Sequence, residues 1–225
     1  HHERRRRTCC RRTAAGGVMA RNFNGTSARI HISSAVVSAT PYTMACWFRT
    51  TSMAHLGTLI SVNNTAPANY AGLWFRGDVA GDPVDILIEG GGAQNTARST
   101  TGCTSGQWHH ACGVFSSSTS RTVYLDGGSS ATDNASTTPS LNRTEIGAWR
   151  TSLWFDGDIA EVGIWNIDLT AAEVASLAKG VSPALIRPQN HVAYLPLIRD
   201  THEIVNATGF TDVNTTAANH PRVYR

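Results

Sequence analysis

The segment Asp156-Gly157-Asp158-Ile159-Ala160-Glu161 places three carboxylates within six residues. Two carboxyls about 5 Å apart serve a retaining glycosidase, one as nucleophile and the other as general acid/base. On a regular strand Asp156 and Asp158 share a face, whereas Glu161 falls on the opposite one unless a bulge intervenes. Aspartate at the first position also has a short reach. A second group of residues is aromatic. Tyr70, Trp149 and Trp154 lie in loop-like stretches, where an exposed ring can stack on the apolar face of a sugar. Trp149-Arg150-Thr151-Ser152-Leu153-Trp154 is the most site-like run. Tyr70, Trp149, Arg150 and Trp154 are therefore the candidate glycan-binding residues.

Other residue types that could do chemistry read as structural. His109 and His110 are adjacent on a strand and point to opposite faces, so at most one enters any site. Trp47, Trp108 and Trp165 are large apolar side chains at strand faces or ends and read as packing residues. Gly90-Gly91-Gly92 is a loop, with no Lys-Ser/Thr after it to make a phosphate cradle. The five cysteines include no CxxC pair, so neither a zinc site nor an obligatory disulfide is expected. Asn-x-Ser/Thr sequons such as Asn24-Gly25-Thr26 and Asn142-Arg143-Thr144 arise by chance in so Asn/Ser/Thr-rich a chain.

The net charge of +3 is local. Residues 1–18 hold six of the 19 basic residues and one of the 16 acidic ones, which leaves 13 against 15 in the body. This leader lacks the apolar core of a secretory signal. As a basic arm it would touch phosphate or an acidic surface, but Met19-Ala20-Arg21-Asn22-Phe23 reads as a natural start, so nucleic acid is not an expected partner. No stretch approaches the ~18 apolar residues of a membrane-spanning helix, and no membrane insertion is expected.

The elements that must hold these residues are strands. Period-two alternation recurs in short runs bounded by Gly, Asn, Asp and Ser, the pattern of an all-β, two-sheet antiparallel sandwich. Tyr42–Arg49 is the clearest strand. Others are expected at Arg29–Ile32, Leu56–Val62, Tyr70–Arg76, Val84–Glu89, His109–Phe115, Arg121–Leu125, Leu141–Gly147, Asp158–Trp165 and Val192–Leu195. Asp126-Gly127 supplies a tight hairpin turn. One short helix is expected after Thr170-Ala171-Ala172-Glu173, a capping box with Gly180 as its stop. The chain divides into a basic leader (1–18), one domain (19–200) and an irregular C-terminal tail (201–225).

The order of these pieces carries a resemblance. Met44-Ala45-Cys46-Trp47-Phe48, then Gln107-Trp108-His109-His110-Ala111-Cys112-Gly113-Val114-Phe115, then Val123-Tyr124-Leu125-Asp126-Gly127, then Phe155 to Trp165 and the capped helix, resemble the laminin-G-like (concanavalin A-like lectin/glucanase) family over residues 21 to 197. The resemblance implies a concanavalin A-like jelly-roll and relatives that are lectins, pentraxins, adhesion modules and some glycosidases. Some glucanases of this fold carry a Glu-x-Asp-x-x-Glu strand spaced like the 156–161 segment. Gly157-Asp158-Ile159-Ala160-Glu161-Val162 equally fits, with Ala160 as a departure, a non-catalytic Gly-x-Ile-Asp-Glu-Val strand, and no catalysis is expected. Calcium is the common cofactor of the family, and Asp78, Asp82 and Asp85 form its best candidate cluster, although they match no fixed calcium spacing. The chain also looks like stand-alone bacteriophage members of the family. That likeness implies a virion surface component, in capsid decoration or a tail or fibre, with virion shell or tail proteins, surface glycans or a second copy of itself as partners. An extracellular, calcium-dependent lectin is the alternative, and a glycoside hydrolase the second.

Overall fold

The computed structural model describes residues 20–66, 68–197, 209–221 and 223, so the basic leader and Met19 lie outside the described residues. The chain runs through β1 (Ala20–Asn24), β2 (Arg29–Ile32), β3 (Tyr42–Arg49), β4 (Leu56–Asn63), β5 (Asn69–Arg76), β6 (Pro83–Gly90), β7 (Ala93–Gly102) and β8 (His109–Ser117). It continues through β9 (Ser120–Leu125), β10 (Gly128–Asp133), β11 (Arg143–Ile146), β12 (Asp156–Trp165), helix α1 (Ala171–Ala178), β13 (His191–Leu195), β14 (Thr211–Val213) and β15 (Thr216–Ala218). The first sheet is ordered β10-β9-β8-β3-β12-β1-β15, with β13 also on β12; the second is β14-β2-β11-β4-β5-β6-β7. All the pairings are antiparallel.

Alternation along each strand sends one set of side chains between the sheets. Met44, Cys46 and Phe48 of β3, Ile159, Val162 and Ile164 of β12 and Phe115 of β8 meet Ile30, Ile60, Leu73, Phe75 and Ile86 of the second sheet in one buried cluster. Phe48 bridges the layers, 6.2 Å from the rings of both Phe75 and Phe155. Their opposite neighbours Arg49, Trp47, His110 and Asp158 therefore occupy the outer face of the first sheet. Tyr70, Trp74, Asn63, Asp85 and Glu145 occupy that of the second.

The helix forms where its cap was expected. Thr170 Oγ1 accepts from Glu173 N at 3.3 Å, while Glu173 Oε2 accepts from Thr170 N at 2.8 Å. Its apolar stripe, Val174 and Leu177, covers Ala45, Cys112, Val114 and Trp165 on the outer face of the first sheet. No described helix is long and apolar enough to cross a membrane.

The tail corrects an expectation. Residues 211–218 form a hairpin, in which β14 pairs with β2 of the second sheet and β15 with β1 of the first, while residues 201–208, 222, 224 and 225 lie outside the described residues. The hairpin thus clasps both layers at one edge, and an Arg21–Asp212 ion pair together with a 2.8 Å bond from Arg21 Nε to Thr215 Oγ1 locks it to β1.

Candidate functional site

The 156–161 segment opens β12, and its three carboxylates have three different fates. β12 slips register against β3 between Ala160 and Gly163, and Glu161 sits at φ +51. This is a bulge, the one condition under which Glu161 leaves the face opposite the aspartates. Ile159 and Val162 both face the core, so Ala160 and Glu161 together take the outward position between them. Glu161 is nevertheless 1% exposed. Tyr194 donates its hydroxyl to Glu161 Oε2 at 2.6 Å, and His220 Nε2 lies 2.9 Å from Oε1. Asp158 accepts from Asn22 Nδ2 at 2.9 Å and from Arg49 Nη2 at 2.5 Å. Arg49 in turn lies 5.1 Å over the ring of Trp108.

Asp156 is exposed, and its backbone is held from two sides. Asp156 N donates to His55 Nε2 at 3.2 Å, and its carbonyl accepts from Thr50 Oγ1 at 2.6 Å. His55 Nδ1 lies 2.6 Å from the carbonyl of Ser52, so Nδ1 carries the proton and Nε2 is left to accept. Opposite Asp156 on β1, Asn24 Oδ1 accepts from the backbone N–H groups of Thr26, Ser27 and Ala28, which ties down the following loop. The loop fits only because position 25 is glycine. Its φ is +70, and a Cβ there would come within 2.9 Å of Asp156 Cβ.

Asp156 forms the shared lip of two open hollows. One, of about 370 Å³, is lined by Asn24, Thr26, Ser52, His55, Trp154 and Asp156. The other, of about 240 Å³, is lined by Asn22, Arg49, Thr50, Gly106, Asp156 and Asp158. Together they make a polar groove along the rim of the sandwich, with Trp154 at one end. Aromatic surface next to fixed hydrogen-bonding groups is the usual make-up of a small polar ligand site.

Of the four aromatic-stretch candidates, only Trp154 reaches this groove. It is half-buried, and Arg29 lies 5.9 Å from its ring centroid. The other three gather on the outer face of the second sheet, and Tyr70 is not an exposed platform. Tyr70 is wedged between Trp74 at 5.5 Å and Trp149 at 5.3 Å, its hydroxyl accepts from Gln94, and burial pushes its pKa up to about 12. Arg150 covers Trp149 at 5.8 Å, while its backbone N–H donates to Glu145 Oε2 at 2.5 Å.

The calcium candidates Asp78, Asp82 and Asp85 do not converge. Asp85 is fully buried, and its carboxylate accepts from Arg98 Nε, Arg98 Nη2 and Arg76 Nη1, each at 2.9 Å. Arg76 also holds Asp78, which lowers the pKa of that carboxyl. Asp82 supplies a turn at φ +51. The arginines occupy the oxygens a cation would need, and among the described residues no group of three or more His, Cys, Asp or Glu is placed to hold a metal. Cys46, Cys103 and Cys112 are free thiols.

Sequence reasoning passed over Asn24 and His55 and weighed Asp156 only as a catalytic group. Asn24-Gly25-Thr26 was visible as a sequon, but its use as a loop anchor depends on β1 pairing with β12.

Solved structures share this architecture. Domain 4 of AbnA, an extracellular arabinanase of Geobacillus stearothermophilus, solved with arabinotriose, superposes with a TM-score of 0.61 at 21% identity, over 71% of this chain and 76% of that one. The heptameric SAP-like pentraxin of Limulus polyphemus gives 0.64 at 15% identity, over 90% and 95%. Tailspike protein 2 of Escherichia coli O157:H7 bacteriophage CAB120 gives 0.57 at 15% identity, over 77% of this chain and 26% of that one. No curated protein sequence matches. The family described as the Concanavalin A-like lectin/glucanases superfamily, in its laminin-G form, matches residues 24–175. With the two antiparallel sheets and the helix packed outside them, this match shows that the chain belongs to the laminin-G-like branch of the concanavalin A-like superfamily.

Proposed function

We propose that this protein is a non-catalytic carbohydrate-binding module that takes a glycan in the rim groove around Asp156. The observation that carries the reading is the Asp156 carboxylate: exposed, seated on a doubly anchored backbone, and shared by two hollows beside Trp154. An ionised carboxylate accepts strongly from sugar hydroxyls, and an indole ring covers the apolar C–H face of the same sugar. The burial of Glu161 argues against a glycosidase, because a general acid/base must reach the glycosidic oxygen. The fold shared with an arabinanase domain solved in complex with arabinotriose supports a saccharide ligand. The fold shared with a segment of a phage tailspike supports a setting on a virion surface, against shell or tail proteins.

The test is a glycan array probed with the full chain, in calcium and in chelator, with mass photometry on the same sample to read any homo-oligomer. Binding is expected in both buffers. Asp156→Asn should weaken it about tenfold, the cost of about 1.5 kcal/mol for losing a hydrogen bond to a charged group, and Trp154→Ala should do the same. Binding that ignores both substitutions would overturn the placement. Chelator-sensitive binding would favour the calcium-dependent lectin, and cleavage of the bound glycan would show an enzyme.

A further inference from the structure

A third polar hollow, of about 230 Å³, shares no lining residue with the rim groove and is lined by Ser33, Thr65, Asn142 and Arg143, which lie on or beside strands of the second sheet. Behind it sits Glu145, fully buried. Arg143 Nη2 lies 2.9 Å and Arg29 Nη1 3.5 Å from Glu145 Oε1, while Asn63 Nδ2 at 2.9 Å and Arg150 N at 2.5 Å serve Oε2. A carboxylate offers about four lone-pair sites, so this one is saturated. Donors remain: Arg29 Nε and Arg143 Nε are buried without a partner, as is the Nδ1 nitrogen of His31, which pairs across from Glu145. Two guanidinium groups against one carboxylate leave a net positive charge at the hollow, whose lining holds no acid. The field is visible at His31, whose pKa is lowered by burial first and then by Arg29 and Arg143, with Glu145 opposing.

We propose that this hollow binds a single oxyanion, the carboxylate, sulfate or phosphate group of an acidic ligand. Arg143 is the charged contact, and the Ser33 and Thr65 hydroxyls are lip donors. Guanidinium suits this task because its planar donors match an oxyanion in pairs. The hollow shares no lining residue with the Asp156 groove, and of its charged groups only Arg29, which also lies over Trp154, reaches toward that groove.

The test is a titration of the full chain followed by NMR of the arginine Nε–H signals. Sodium glucuronate, sulfate and phosphate are compared with sodium chloride at equal ionic strength and with neutral glucose. A saturable shift of the Arg143 signal is expected with an oxyanion and with neither control; a shift of Arg29 alone, which also lies over Trp154, would place the ligand in the rim groove and overturn the proposal. Saturation by glucuronate identifies a carboxylate source, and saturation by sulfate or phosphate alone identifies an ester substituent. Thr65→Glu puts a negative charge on the exposed lip without touching Glu145, and should weaken binding several-fold while glycan binding at the rim persists. Arg143→Gln should abolish the response. No saturable shift with any of the three oxyanions, or one unchanged by Thr65→Glu, overturns the proposal.

Discussion

At the scale of single residues, the rim groove depends on positions that carry no side chain. Gly157 separates the two aspartates of β12 at φ +153, and a Cβ there would lie 2.3 Å from the Arg49 carbonyl. Arg49 also holds Asp158, so the strain would fall on both walls of the smaller hollow. Gly157→Ala is expected to destabilise the protein by about 2–3 kcal/mol, as backbone clashes at constrained positions do. Urea unfolding would measure this, and the same variant should lose rim binding; an unchanged midpoint would show that the strand shifts freely. The residue types of this region were legible in the sequence, but their roles were not. The Asp156, Asp158 and Glu161 spacing was visible, as was the need for a bulge to turn Glu161. What spacing could not show was Tyr194 and His220 arriving from 33 and 59 positions downstream to bury Glu161. Tyr70 and Asp85 failed as surface candidates for the same reason: their neighbours across the sheet, Trp74, Trp149, Arg76 and Arg98, decide their exposure.

At the scale of elements, alternation was a good guide wherever one face of a strand is apolar. β2 and β3 span the residues expected from the pattern, and β4, β5 and β6 differ from it by a residue or so at their ends. β7 and β10 were invisible because their sequences, Ala-Gln-Asn-Thr-Ala-Arg-Ser-Thr-Thr-Gly and Gly-Ser-Ser-Ala-Thr-Asp, bury almost nothing. They close the two sheets at one edge, where polar strands belong. β14 and β15 are three residues each and exist through their pairing with β2 and β1 rather than through any local preference. The helix is the opposite case, specified locally by its capping box. Thr170→Ala removes the bond that Thr170 Oγ1 accepts from the Glu173 N–H and the 2.9 Å bond it donates to Glu173 Oε2. The residue 170 N–H and Arg187 still hold that carboxylate, whose pKa is lowered, against opposing desolvation, by its bonds to Thr170 and Arg187. A loss of about 1 kcal/mol is expected, read as a lower thermal midpoint with the strand signal in circular dichroism unchanged. Thr170→Ser should restore most of it.

At the scale of the whole molecule, the outer face of the first sheet sets how the protein responds to acid. His110 is 2% exposed against Trp47, with ring centroids 5.4 Å apart, and burial lowers its pKa to about 4. His191 is packed between Trp165 and Tyr194, and burial brings it also to about 4. In the unfolded chain both take up a proton near the ordinary imidazole value of 6.5. Between that value and about 4 the unfolded chain therefore binds protons that the native state refuses, and stability must fall as pH drops through this window. His31, whose pKa is also lowered, acts with the same sign. The carboxylates whose pKa values are lowered, Asp78, Asp126 and Glu173, contribute stability that is full above their ordinary values of 3.8 and 4.5 and is lost as pH falls through their lower native values, so they add to the decline only at the bottom of this window and below it. The interval from pH 6.5 down to about 4.5 thus isolates the histidines. With one pKa unit worth about 1.4 kcal/mol, each of the two buried rings should cost on the order of 1–3 kcal/mol across the window. Denaturant midpoints at pH 7.5, 5.5 and 4.5 should show a plateau above pH 7 followed by a decline. His110→Phe, which fills the site beside Trp47 with a ring that cannot titrate, should flatten part of that decline. A midpoint that is level from pH 7.5 to 4.5 would mean that both rings accept protons inside the folded protein. The outer face of the first sheet would then have to open to water while the core between the sheets stayed closed.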